Sequence, residues 1–302
     1  MLGFVLLEGM KEPDSEVGKQ ARTSPPVRIT VRVDRLIFWL AALCVLIELA
    51  FVFLDFGVNY SRWSTLGPMR RMFNITREDS LASWFGVSQT LLAACTLWFL
   101  VAVQSAARVS RPKRVGWWIL AGFFTYLAAD DGAEIHERLG SAFGRLQERA
   151  QESQIASGFW SRIYDWFPSY EWQIVCLPVF LLLGFFMLAF LWRELKTRRS
   201  RLTLLIAVGL MAVAVGLDFV EGLEPDHQWN LHQRLTEVVD LSAYTEAQFD
   251  EEPFESVRHF SKSLEEFMEM LSMTLLWLIL IAHLARIAPR LDLHLQLDPD
   301  HD

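Results

Sequence analysis

The sequence contains few cysteines and none of the short motifs that mark common soluble hydrolases. Cys44, Cys95 and Cys176 each fall inside an apolar run and have no Cys-x-x-Cys spacing. We therefore expect small packing residues rather than disulfide partners or zinc ligands. His-Glu-x-x-His and Gly-x-Ser-x-Gly are also absent, so zincin and serine-hydrolase functions have no motif support.

Positive charge is scarce as well. The net charge is -8, and no run combines basic residues with interleaved aromatic residues, as a groove for nucleic acid would. Nucleic acid is therefore not an expected partner. Hydrophobic residues, in contrast, make up 52% of the chain, which predicts an integral membrane protein whose main partner is the lipid bilayer.

Six segments reach or approach the length of a membrane span, which predicts an all-α, polytopic transmembrane bundle of about six helices. The segments are Leu36–Leu54, Leu81–Val103, Trp117–His136, Trp172–Trp192, Leu202–Glu221 and Glu265–Ala285. We expect one transmembrane domain over residues 31–290, after a disordered cytoplasmic tail (1–30) and before a cytoplasmic C-terminal tail (291–302).

The distribution of Lys and Arg predicts the topology. These residues are dense before the first span and in the short second and fourth loops, and sparser in the first loop. By the positive-inside rule, both termini lie in the cytoplasm of a bacterial inner membrane. The long third and fifth loops then lie outside, and their apolar spacing predicts surface helices. Residues 1–9 are too short for a signal region, and we expect them to be dispensable for insertion.

Three of the apolar segments are too short to span a bilayer and are completed by carboxylates. A helix over residues 115–129 reaches only ~22 Å, whereas a hydrocarbon core is ~30 Å thick. It continues as Asp130–Glu137 (DDGAEIHE), and acids also end the fifth segment and begin the sixth. Under the predicted topology these acids meet at one membrane face. Ionisable groups at that depth usually face the protein interior and mark function.

The acids form pairs spaced three residues apart, which places each pair on one face of a helix. The pairs are Asp131 with Glu134, Asp218 with Glu221, and Glu266 with Glu269. The first two pairs end their helices alike, which is a faint sign of internal duplication. His136 lies ~200° around a helix from Glu134, so both can bind one ion only if the helix unwinds. Gly132 is the expected place for that distortion.

A buried group of carboxylates must bind a cation, keep protons or pair with arginines. The arginines near this face are Arg138, Arg162, Arg234 and Arg258. If a metal binds, carboxylates with one histidine suit a divalent ion such as Zn, Fe, Mn or Mg. A di-iron centre is disfavoured because the one Glu-x-x-His pair, Glu224 with His227, contains Pro225. The candidate metal ligands are Asp131, Glu134, His136, Glu137, Glu221, Glu266 and Glu269.

Three stretches resemble an uncharacterised group of bacterial six-span membrane proteins. They are Asp130–Glu137, which fits D-[DE]-x-x-x-I-H-E, the late Glu221 of the fifth helix, and Glu265–Met270 (EEFMEM), which fits E-E-x-x-E-M. The resemblance implies a six-span fold and a shared constellation, but no activity. That constellation comprises Asp131, His136, Glu137, Glu221, Glu266 and Glu269.

Three functional hypotheses follow. The leading one is a cation-binding membrane protein. In its most specific form, it is a metal-dependent enzyme that acts on a lipid or other membrane-borne substrate and uses a spare carboxylate as general base. The second is a carrier or channel for protons or small cations. The third is a non-catalytic subunit of a membrane assembly. The sequence leaves all three open.

Overall fold

The computed structural model describes residues 32–153, 158–240 and 252–289, together with residues 242, 245 and 249. All regular elements in these residues are helical, which confirms the all-α class. The tails predicted for 1–30 and 291–302, including residues 1–9, fall outside the described residues.

The helices follow one another along the chain. In chain order they are α1 (Val33–Leu54), a π-helical turn (Asp55–Tyr60), α2 (Gly67–Phe73), α3 (Leu81–Ala106), α4 (Arg111–Ala133), α5 (Ile135–Glu152), α6 (Phe159–Trp166), α7 (Glu171–Val175), α8 (Leu177–Glu194), α9 (Arg198–Glu221), α10 (Leu231–Val238) and α11 (Pro253–Ile287).

Among the described residues, five helices are long and apolar enough to cross a membrane: α1 with its π-helical turn, α3, α8, α9 and α11. Their outer surfaces remain apolar: Leu46 and Leu182, for example, are 66% and 70% exposed. Such a surface is unusual on a water-soluble protein and suits contact with lipid. The predicted third span, Trp117–His136, overlaps α4 but extends past its end at Ala133 into α5, so it is not one continuous helix. The apolar part of α4 ends at Asp130, and the sixth crossing stays a prediction.

Two further predicted spans differ substantially from the helices in the structure. The predicted helix Trp172–Trp192 is divided at Cys176 into α7 and α8, because Pro178 has no N–H and its ring disfavours a continuous helix. The last helix was predicted to begin at Glu265. It begins instead at Pro253, a residue type favoured in a first helical turn. The fifth loop is correspondingly shorter than predicted.

The core lies where α3, α4, α8, α9 and α11 meet. Leu97, Trp117, Leu120, Leu204 and Leu280 are almost completely buried there. Small residues on α3, α4 and α9 let the helices approach closely, as is typical of membrane bundles. α1 packs outside this core against α11 and α3.

The surface helices predicted for the two long loops are present as α6 and α10. α6 contacts α5 through Phe143, whose ring meets those of Trp160 and Tyr164. The three cysteines are free. Cys44 and Cys176 are buried, as expected of packing residues, whereas Cys95 is exposed on the surface of α3.

Candidate functional site

The helix carrying DDGAEIHE breaks at Glu134. This residue separates α4 from α5 and has φ 50° and ψ 41°, in the left-handed region. Residues with a Cβ rarely adopt this conformation, and it costs about 1 kcal/mol or more. The predicted distortion therefore exists, but its predicted place was wrong: Gly132 remains within α4, and the strained residue is a glutamate.

Asp130 holds this break in place. Its Oδ1 accepts a hydrogen bond from the backbone N–H of His136 at 2.8 Å, and its Oδ2 lies 2.8 Å from His136 Nδ1. The Asp130 side chain is only 4% exposed. His136 Nδ1 is thus committed to a buried carboxylate, which leaves Nε2 as the nitrogen that could bind a metal, as in carboxylate–histidine–metal arrangements.

α7 closes over this pair. Gly140 of α5 lies so near α7 that an added Cβ would sit 2.4 Å from the Trp172 backbone nitrogen. The close approach places the Trp172 ring edge-on to His136, with 4.7 Å between ring centroids. A larger residue at position 140 would separate the two helices.

Lys262 lies among four carboxylates from α9 and α11. Its Nζ is 2.6 Å from Glu265 Oε1, and farther from the other three. The remaining distances are 3.6 Å to Glu221 Oε2, 3.8 Å to Glu266 Oε1 and 3.9 Å to Asp218 Oδ1. We call these five residues the lysine site. The lysine itself is 19% exposed, so most of its charge is shielded from water by protein.

Sequence reasoning placed Lys262 in a loop and missed its role. On α11, however, it precedes Glu265 and Glu266 by three and four residues. This spacing puts the amine and both carboxylates on one helix face. The signal was therefore present in the sequence, but an apolar run that begins after the acids concealed it.

Two carboxylate oxygens in the lysine site lack a hydrogen-bond partner among the described residues. They are Glu221 Oε2 and Glu265 Oε2, and both atoms are buried. Asp218, Glu221 and Glu265 can each offer an oxygen, with all three oxygens within 4.8 Å of one another. Buried polar atoms are normally satisfied, so these two oxygens have capacity for a water molecule, a proton or a cation.

The lysine site continues toward α4 through Glu269. This residue lies one turn after Glu265 on α11 and interacts electrostatically with Asp131, Asp218 and His136. Asp131 in turn accepts a hydrogen bond from Thr90 Oγ1 at 3.2 Å. We call the lysine site together with Asp131 and Glu269 the acidic crevice. Asp131 is exposed at the protein surface, and Glu266 and Glu269 are partly exposed.

Glu134 and Glu137 occupy the rim rather than the crevice. Glu134 is 35% exposed and lies 3.5 Å from Arg138 on the next turn. Glu137 is exposed and interacts with Glu78, a residue that sequence reasoning missed, in the turn before α3. Glu78 is exposed at the surface, but nearby protein partly desolvates its carboxyl group and, with the charge of Glu137, raises its pKa.

Arg258 and Tyr170 flank the other side of the lysine site. An Arg258 guanidinium nitrogen lies 3.5 Å from Glu221 Oε1, so one of the four arginines proposed as counter-ions does approach the site. Burial, assisted by the charge of Glu221, raises the pKa of Tyr170. Both residues line a shallow cavity together with Leu223 and Phe254.

Asp55 and Asn59 belong to a separate structural junction. Asp55 accepts hydrogen bonds from Asn59 Nδ2 and the Ile75 backbone N–H, and its Oδ2 lies 2.9 Å from the Ser263 hydroxyl and 2.8 Å from His259 Nε2. These contacts join the π-helical turn to α11. Because both carboxylate oxygens are satisfied, Asp55 has no evident capacity for a ligand.

Fold and site together define an all-helical protein with helices of membrane-spanning length and a lysine enclosed by carboxylates. The chain belongs to the family of a domain of unknown function (DUF8692), which matches residues 37–284 and so includes the whole acidic crevice. No curated protein and no solved structure shows significant similarity to it.

Proposed function

We propose that this protein is an integral membrane protein that binds a divalent cation in the acidic crevice. Six spans, with α4 as the third, and cytoplasmic termini would place the crevice at the outer face of a bacterial inner membrane. The observation that carries the proposal is a pair of buried oxygens, Glu221 Oε2 and Glu265 Oε2, that accept no hydrogen bond among the described residues, although Lys262 lies nearby.

Charge balance supports a cation. The lysine site holds four carboxylates and one ammonium group, and only Glu221 gains a second basic partner, Arg258. Asp131 and Glu269 add two more acids. Carboxylates in such surroundings either keep protons or gain a cation, because unpaired buried charge is unfavourable. Lys262 thus acts as an internal counter-ion that meets part of this demand.

The donor set suits a hard or borderline ion. Asp218, Glu221 and Glu265 would hold it through oxygen atoms, which favours Mg or Mn and permits Zn or Fe. Of the ligands predicted from sequence, Glu221 belongs to this set, while Glu266 and Glu269 lie next to it. Lys262 contacts Glu265 through Oε1, which leaves Oε2 for the ion, but the nearby ammonium group would repel a cation. A bound metal would supply Lewis acidity and an activated water, as the hypothesis of an enzyme on a membrane-borne substrate requires.

Thermal unfolding of detergent-purified protein in metal salts tests this proposal. An ion that binds only the folded state stabilises it by about 2.7 kcal/mol at a concentration 100 times its Kd. We expect Mn or Zn to raise the Tm of the wild type, and Glu265→Gln to abolish the rise. Glu269→Gln should weaken it less, because Glu269 lies outside the three-oxygen group. Glu255→Gln, an exposed site on the same helix, is the matched control.

The main alternative is a carrier or channel for protons or small cations. It is favoured by Asp131, which is exposed, and by Glu269, which is partly exposed; these two acids connect the crevice with α3 and α4. Reconstituted vesicles separate the two functions. The transport function would replace the cation-binding proposal if two results were obtained together: Glu269→Gln abolishes a proton or cation flux, and no metal changes the Tm of the protein. Absence of both flux and metal binding would favour an assembly subunit.

A further inference from the structure

Glu48 is a carboxylic acid deep inside the apolar part of the bundle. It lies on α1, is fully buried, and faces α3 and α11. Its Oε1 accepts hydrogen bonds from Thr274 Oγ1 at 2.6 Å and from Gln89 Nε2 at 3.0 Å. Gln89 Nε2 also donates to Thr274 Oγ1 at 2.5 Å. We call Glu48, Gln89 and Thr274 the Glu48 triad.

Two acceptor atoms in the triad have no donor among the described residues. They are Glu48 Oε2 and Gln89 Oε1, and both are buried. The groups that face Glu48 from α3 and α11 are neutral, and its titratable neighbour is the Cys44 thiol, one turn earlier on α1. None of the ion pairs found among the described residues involves Glu48. An ionised carboxylate here would be both uncompensated and only half hydrogen-bonded.

A proton resolves both deficits. It removes the charge, which is strongly unfavourable in an apolar interior, and it turns Glu48 into a hydrogen-bond donor. A metal ion fits less well, because hard cations require about six oxygen ligands. Only two oxygens are unpartnered here, and Thr274 Oγ1 is already both donor and acceptor.

We propose that Glu48 is an intramembrane proton-binding site, occupied at neutral pH and separate from the acidic crevice. The two sites are close but share no residue. Thr274 follows Glu269 by five residues on α11, about 7.5 Å along the helix. On α3, Gln89 precedes Thr90, which donates to Asp131. The proposal therefore stands whether or not the crevice binds a metal.

Infrared spectroscopy of the reconstituted protein tests the proposal. The wild type at neutral pH should show the C=O stretch of a protonated carboxylic acid, and Glu48→Gln should lose that band. Asp34→Asn, an exposed acid on the same helix, is the matched control and should leave it unchanged. Loss of ionised carboxylate bands instead, in the Glu48→Gln difference spectrum, would overturn the proposal. If the protonated-acid band is present in choline chloride but absent in sodium chloride, sodium displaces the proton and Glu48 is a sodium site instead.

A second variant keeps the test decisive if Glu48→Gln does not fold. Thr274→Val preserves the side-chain shape but removes the hydroxyl that donates to Glu48 Oε1. The protonated-acid band should persist and shift to higher frequency, because the C=O group loses a hydrogen bond. An unshifted band would mean that the signal arises from another acid, and the assignment to Glu48 would fail.

Discussion

The amine of Lys262 lies 2.6 Å from the carboxylate of Glu265, one turn later on the same helix. This ion pair occupies one of three carboxylates whose oxygens lie within 4.8 Å of one another. Lysine and metal ion would therefore compete for Glu265. The competition makes Lys262 both a stabilising residue and a limit on cation affinity.

Replacing Lys262 by Met tests this dual role. Without metal, the change leaves four carboxylates with no central cation. Removing one partner of a buried pair lowers the free energy of unfolding by about 3–5 kcal/mol. The loss should be smaller here because the lysine is 19% exposed. With saturating metal, the loss should shrink or vanish, and the apparent Kd should fall. Thermal melts with and without chelator measure both effects. Lys262→Arg is the control and should keep most of the metal-free stability. An equal loss with and without metal would contradict the competition.

Position 134 should accept glycine readily. Glu134 has a positive φ, which glycine adopts without the steric penalty of a Cβ. Glu134→Gly should therefore raise the free energy of unfolding by about 1 kcal/mol, even though the exposed ion pair with Arg138 is lost. Chemical denaturation in detergent measures this change, and Glu134→Ala, which keeps the strain, should not be stabilised.

The helical role of Gly132 gives a paired prediction. An added Cβ would lie 3.7 Å from Val87, an ordinary contact, and alanine favours a helix by roughly 0.5–1 kcal/mol over glycine. Gly132→Ala should thus be neutral or stabilising in the same denaturation assay. Marked destabilisation would show that the hinge lies at Gly132 after all.

Stability should fall in mild acid through His232. This residue is 4% exposed, and its Nε2 has no hydrogen-bond partner among the described residues. Burial lowers its pKa and outweighs the opposing charge of Glu221. A group with a depressed pKa stabilises the fold above its unfolded pKa of about 6.5, and that contribution is lost as pH falls through the lower, folded value. His232→Gln should flatten the dependence of Tm on pH in this range, measured with chelator present. A variant with the wild-type slope would exclude His232 as the cause.

The topology predicts opposite labelling of two exposed positions. In a cysteine-free background, Gln228→Cys should react with an impermeant maleimide in intact cells, and Thr197→Cys should react only after lysis. The opposite result would place the acidic crevice at the cytoplasmic face.

Long apolar runs and i, i+3 acid pairs are local signals, so the helical class and the acidic residues were predictable from sequence. The lysine site could not be found by searching for apolar runs, because α11 begins at Pro253 with a polar segment that such a search passes over. The position of the helix break was not predictable either, because Gly132 has a more flexible backbone than Glu134 and is the expected place for a break. The break occurs at Glu134 because Asp130 binds both the backbone and the ring of His136, a tertiary arrangement that no helical spacing specifies.

The metal content of purified protein tests the central claim most directly. Wild-type protein in detergent would be supplied with Mg, Mn, Fe and Zn, passed through a desalting column and assayed by elemental analysis beside Glu265→Gln and Glu255→Gln. We predict near-stoichiometric divalent metal in the wild type and Glu255→Gln, and little in Glu265→Gln. Because ligating carboxylates must be deprotonated, the metal occupancy should also decrease as the pH is lowered. Wild-type protein without metal, or metal retained equally by Glu265→Gln, would contradict the account.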